Sequence, residues 1–126
     1  MQNDLTKALD EKTVPWTEIE YRTKDFWVFR DAFPVTEGHL LFVPTTLQSV
    51  SLWECYKAAY KFGFDGVESE KWQGFNVGQN VGEVAGQTVM YPHVHMIPRR
   101  TGDMPDPRGG VRHVIPSKGN YTNGND

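Results

Sequence analysis

The apolar and polar positions divide the chain into short extended stretches around one long helical one. Residues 16–30 (WTEIEYRTKDFWVFR) interleave β-branched and aromatic residues with charges, and the polar break at 23–25 predicts a turn between two strands. Residues 38–44 (GHLLFVP) are a short apolar run closed by proline, which predicts a buried strand. Over residues 46–62, Val50, Trp53, Tyr56, Ala59 and Tyr60 recur at helical spacing, while Ser49, Glu54, Lys57 and Lys61 fill the opposite side. This predicts the main helix, with Gly63 as its stop. Residues 74–77 predict a strand, a loop holding Gly78, Gly82 and Gly86 follows, and residues 87–98 predict a further extended segment. Pro92 offers no ladder hydrogen bond and so predicts an edge or bulged position for that segment. Strands, then a helix, then strands argue for an α+β fold with a mainly antiparallel sheet.

Composition narrows the class. A chain of 126 residues supports one core, and 38% hydrophobic with 23% charged residues is the make-up of an ordinary globular domain. No apolar run approaches the roughly 18 residues of a membrane span, and the polar start lacks the apolar stretch of a secretory signal, so the expected location is the cytoplasm. The single Cys55 can form neither an internal disulfide nor a multi-cysteine zinc site, and it suits a reducing compartment. The net charge of −3 argues against a dedicated nucleic-acid binder. That total hides a local excess: residues 91–126 carry five bases and three acids, together with three of the four histidines. Anion chemistry is expected there.

On a strand, side chains two apart share a face, so Tyr91, His93 and His95 project together while Pro92, Val94 and Met96 point the other way. Histidine suits nucleophilic work because one ring nitrogen can attack while the other gives its proton to a fixed acceptor. Metal ligation, a hydrogen-bonded core pair and a solvent-facing pair are the competing readings of such a row. Upstream, Asn80 and the glycines of residues 82–86 allow backbone N–H groups to approach an anion, and Gln87 and Thr88 add amide and hydroxyl donors. Downstream, Arg99 and Arg100 bring two guanidiniums.

Residues 85–99 (AGQTVMYPHVHMIPR) resemble the signature of the histidine triad superfamily of nucleotide hydrolases and transferases, G-Q-[ST]-V-x-H-x-H-x-H followed by apolar residues. Residues 30–44 (RDAFPVTEGHLLFVP) resemble the family's strand pair with D-x-x-P and G-H-x-L-x-x-P, and residues 102–118 resemble a C-terminal extension of a bacterial subgroup. The resemblance implies one domain over residues 1–126, with 102–126 an extension, and a sheet of about five strands with one main helix and a shorter one. Tyr91 stands where the family carries its first triad histidine, and residues 45–48 (TTLQ) replace a stretch that is basic in many relatives.

The resemblance further implies two-step nucleotidyl transfer at the α-phosphate of a dinucleoside polyphosphate or nucleoside phosphoramidate. His93 would be the nucleophile, His95 would hydrogen-bond phosphate oxygens and the leaving group, and His39 would orient the cluster. Gln87 and Thr88 would stabilise developing charge. Asp31 would hold the ribose hydroxyls, Phe29 would line the nucleoside pocket, and Asn80 would lie near the phosphates. Arg108 and Arg112 would reach distal phosphates or else cap a dimer. Tyr91 can donate a hydrogen bond but cannot serve as a neutral-pH base, and its main-chain carbonyl is expected to accept from His93. A twofold homodimer contacting through the main helix is implied, and no cofactor. Two alternatives stay open: a nucleotide-binding module of little or no turnover, and a metal site built from His39, His93 and His95.

Overall fold

The structure, a computed structural model, describes residues 2–120. Helix α1 (Asp4–Asp10) is followed by strands β1 (Ile19–Arg22), β2 (Phe26–Arg30) and β3 (Leu40–Pro44), then by helix α2 (Ser49–Glu68). Strand β4 (Gly74–Gly78), strand β5 (Val94–Arg99) and the short helix α3 (Pro116–Gly119) complete the described residues. The five strands form one antiparallel sheet in the order β1-β2-β3-β5-β4. The fold is α+β, as expected. The tail of the predicted extension, residues 121–126, lies outside the described residues.

Alternation along the strands sorts side chains onto two faces. Val28, Leu40, Phe42, Val94 and Met96 face α2 and pack with Cys55, Ala59 and Trp72. Phe29, Leu41 and Val43 face the other way and are covered by Leu5 of α1, with Trp16, Trp27 and Tyr91 packed around them. Beyond this second cluster the face is polar, and the histidines stand there.

Three expectations are corrected. Helix α2 does not stop at Gly63 but runs on to Glu68. Its two late glycines are points of close approach: a Cβ on Gly63 would lie 2.4 Å from the Phe75 ring, and one on Gly66 would lie 2.0 Å from Trp72. The buried face of α2 consists of Ser51, Cys55, Ala59, Gly63 and Gly66, while Val50, Trp53 and Tyr60 of the predicted apolar stripe are exposed. Small residues let the helix sit close to the sheet, which displaces the large ones outward. The segment 87–98 is strand only from Val94, and β5 lies inside the sheet between β3 and β4. Pro92 precedes the strand, and Pro98 lies past the last β3 pairing, Leu40 with Met96, so neither ring interrupts that ladder.

Helix α1 falls in a segment read as merely polar. Asn3 accepts from the Thr6 N–H at 2.8 Å while the Thr6 hydroxyl accepts from the Asn3 N–H at 2.9 Å, a reciprocal cap that starts the helix.

Candidate functional site

Three separate segments bring the polar residues together. His39 directly precedes β3, and His95 is the register partner of Leu41 on β5. Asp31 follows β2 directly, its N–H donating to the His39 carbonyl at 3.1 Å. Its Oδ1 accepts from the Phe33 N–H at 2.8 Å, and its Oδ2 lies 3.5 Å from His39 Nε2. His93 stands just before β5, with its ring centroid 5.2 Å from that of His95.

Hydrogen bonds set the protons on all three rings. The Val35 N–H donates to His39 Nδ1 at 3.1 Å, so the neutral His39 ring carries its proton on Nε2. That Nε2–H faces His95 Nδ1 at 2.9 Å, which must then accept, leaving the His95 proton on Nε2. His93 Nδ1 is 2.9 Å from the Tyr91 carbonyl, a group that can only accept, so Nδ1 carries the proton and Nε2 keeps its lone pair. The expected main-chain bond to His93 is therefore present. Burial among other rings lowers His95 to about 4, with His93 and His39 adding to the effect against Asp31. His39 is lowered as well, by burial against the opposing pull of Asp31. In its neutral form the His93 ring offers a bare Nε2 beside an N–H donor at His95.

The same tautomers bear on metal binding. Among the described residues, Asp31, His39 and His95 present ligand atoms within 4.8 Å of one another, a set that differs from the His39, His93 and His95 of the alternative metal reading. An ion on His39 Nε2 would have to displace its proton while Nδ1 still accepts from Val35, and a ligating histidine ordinarily donates from its other nitrogen. The residues fit a proton-ordered network better than an ion site.

Other predicted residues take different parts. Phe29 is fully buried behind the site and presents no surface to a ligand. Gln87 does not face an open site: its Oε1 accepts from the Gly82 N–H at 2.8 Å, and its Nε2 donates to the Val89 and Met90 carbonyls at 3.1 and 3.0 Å. The Gly86 N–H donates to Glu83. The glycine loop is thus braced on itself, with Thr88 exposed at its surface. Asn80 shares with His39 and His95 a cavity of about 360 Å³ whose wall includes Val111 and Val114. Arg112 donates to the Lys118 and Gly119 carbonyls and so holds the C-terminal turn, while Arg108 lies 3.8 Å from Asp106. Arg99 grips Asp103 through two bonds of 2.9 Å and reaches Asn76 with a third.

No sequence motif marks Trp16. It lines a smaller cavity of about 190 Å³ with Asp31, Phe33 and Leu41, and its ring lies 5.0 Å from that of His93. An aromatic residue between Pro15 and Thr17, outside any strand, was the available signal. Tyr91 does not project alongside the two histidines. Its ring enters the Leu5 cluster, and its phenol donates to the Pro44 carbonyl at 2.6 Å.

The chain is 32% identical over 105 residues to the nitrilase and fragile histidine triad fusion protein NitFhit of Caenorhabditis elegans, covering 74% of this chain but only 23% of that protein. A Zn-bound histidine triad family protein from Mycobacterium smegmatis superposes with a TM-score of 0.65 at 26% identity, over 81% of this chain and 83% of that one. A Hit-like protein involved in cell-cycle regulation from Bartonella henselae superposes with a TM-score of 0.62 at 27% identity, over 79% and 81% of the two chains. The HIT domain model matches residues 13–102, which include β1 to β5 and every histidine of the site, and the chain belongs to the HIT domain family.

Proposed function

We propose that this protein is a nucleotide hydrolase or nucleotidyl transferase acting at the α-phosphate of a dinucleoside polyphosphate or a nucleoside phosphoramidate. The observation that carries this reading is the tautomer order across His93, His95 and His39. In the first step the His93 Nε2 lone pair forms an N–P bond. The P–O bond to the leaving group breaks with its electron pair while the leaving oxygen takes a hydrogen bond from His95 Nε2–H; in a phosphoramidate the P–N bond breaks and the leaving nitrogen takes up a proton from solvent, departing as the amine. In the second step water forms a P–O bond, the N–P bond returns its electrons to His93, and the water's proton passes to solvent. Dividing one displacement in two lowers each barrier.

His39 orients His95, Asp31 takes the ribose hydroxyls, and Thr88 and Asn80 contact phosphoryl oxygens. Gln87 acts through the loop it braces, and Phe29 supports the pocket from behind. Arg108 and Arg112 remain the candidates for distal phosphates, with Arg112 also bracing the C-terminal turn. The exposed row of Val50, Trp53, Tyr60 and Phe64 on α2 supports a twofold dimer through that helix. The buried thiol of Cys55, pushed up to about 12 chiefly by burial, suits a reducing cytoplasm.

The test is incubation with a dinucleoside polyphosphate and with a nucleoside phosphoramidate, followed by intact mass. A transient nucleotidyl adduct that disappears in His93→Ala is expected, and hydrolysis untouched by that substitution overturns the assignment. One observation favours the alternative of a weakly active binding module: the Gln87 amide and the Gly82 and Gly86 N–H groups are engaged within their own loop. Binding of a nucleoside monophosphate with neither adduct nor product would establish that reading instead.

A further inference from the structure

Residues 90–93 precede the sheet ladder, because β5 begins at Val94. The Tyr91 carbonyl directs the His93 lone pair, yet strand pairing does not hold it. Side chains supply the missing restraint. The Tyr91 phenol is bonded to the Pro44 carbonyl at the end of β3, and its ring packs among Leu5, Phe29, Leu41 and Val43. Burial raises the phenol's pKa and keeps it a donor. The Trp16 ring stands 5.0 Å from His93 at 60°, 6.4 Å from Tyr91 at 79° and 5.7 Å from buried Phe29. Trp16 therefore touches both the nucleophile's ring and the residue whose carbonyl aims it.

We propose that Trp16 and Tyr91 form an aromatic clamp that positions His93 for attack, doing with packing and one phenol hydrogen bond what a third triad imidazole would otherwise share. The inference rests on the reading of His93 as nucleophile. Both members are positioning residues, and neither meets the phosphorus. Tyr91 fixes the carbonyl acceptor, and Trp16 limits rotation of the imidazole about its Nδ1–H bond. An imidazole at 91 is shorter than a phenol and does not reach the Pro44 carbonyl from the same backbone. Restoring a histidine there is therefore expected to loosen His93. Trp16 also offers a π system to the imidazolium of the nucleotidyl-histidine, an attraction absent from the neutral resting ring.

Two measurements on the full chain test the clamp. The first is the His93 Nδ1–H proton signal in histidine-labelled protein. The second is the saturating rate of adduct formation with adenosine and guanosine phosphoramidates, measured beside nucleoside monophosphate affinity. In Trp16→Ala the signal should be lost to exchange and the saturating rate should fall on the order of 10²-fold, beyond any loss of affinity. Trp16→Phe should restore most of both, and Trp16→Leu serves if the alanine variant fails to fold. Tyr91→Phe should slow adduct formation about fivefold, and Tyr91→His should slow it rather than speed it. A preserved signal with an unchanged saturating rate in folded Trp16 and Tyr91 variants overturns the clamp alone. Failure of the wild type to form any adduct overturns the nucleophile assignment, and the clamp's purpose with it.

Discussion

The two faces of the sheet solve opposite problems. Toward α2, strand residues meet a buried helix stripe of serine, cysteine, alanine and glycine flanked by Leu52, Tyr56 and Phe62, and Phe75 and Trp72 fill the space over Gly63 and Gly66. Even the Trp72 indole N–H is satisfied there, donating to the Gly63 carbonyl at 2.8 Å. On the opposite face α1 covers only the Leu5 cluster, and the remaining strand surface carries Asp31, His39 and His95. Among the described residues no buried side-chain polar atom lacks a partner. One face is specified by volume, the other by the directions of hydrogen bonds. Substitutions should accordingly break the first through sterics and the second through proton placement.

The largest effect is expected on the volume-specified face. Gly66→Leu places side-chain atoms inside the Trp72 ring and should cost about 3 kcal/mol or more, read as a lowered midpoint in denaturant unfolding. A midpoint close to wild type would mean that α2 does not pack as tightly as this contact requires. A change on the other face should cost less stability and more chemistry. His39→Leu leaves the Val35 N–H and His95 Nδ1 without their partner, at a cost of about 1–3 kcal/mol. Because His95 is then free to take either tautomer, adduct formation on His93 should slow more than the stability loss alone explains, as single-turnover rates would reveal.

A smaller effect separates the faces by pH. His95 sits at about 4 in the folded chain against an ordinary value of 6.5. Between those values the unfolded chain takes up a proton that the folded chain refuses, so stability falls as the pH drops through that window. Melting temperatures measured from pH 7 to pH 4 should therefore decline, and His95→Gln should flatten the decline. An equally steep curve in that variant would assign the acid sensitivity elsewhere. The smallest change in monomer stability is expected at Trp53, which is 60% exposed on the outer side of α2. Trp53→Ser should alter it by no more than about 0.5 kcal/mol, yet weaken self-association in sedimentation if that side carries the dimer contact.

The strands were legible because their signals are local. Alternation in β1 and β2, the closed apolar run of β3 and the turn residues between them need no distant partner to be read. The helix was legible in kind but not in orientation. Val50, Trp53 and Tyr60 look like a core stripe until Phe75 and Trp72, from later in the chain, occupy the space over Gly63 and Gly66. The histidines were legible through their spacing and setting. The engagement of Gln87 was not, since its partners depend on how one loop closes. Trp16 was not legible, because nothing in its neighbourhood of sequence points to His93.

By itself the sequence determined the fold class, the family resemblance and the candidate nucleophile, each carried by residue types at short spacing. Tertiary structure alone decided which side of α2 is buried, which imidazole nitrogen carries each proton, and which groups surround His93. The physical reason is that packing depends on volumes, and tautomers on donors and acceptors, contributed by segments far apart in the chain. The Val35 N–H, the Tyr91 carbonyl and the Trp16 ring act on the histidines only once the sheet has brought them within a few ångströms.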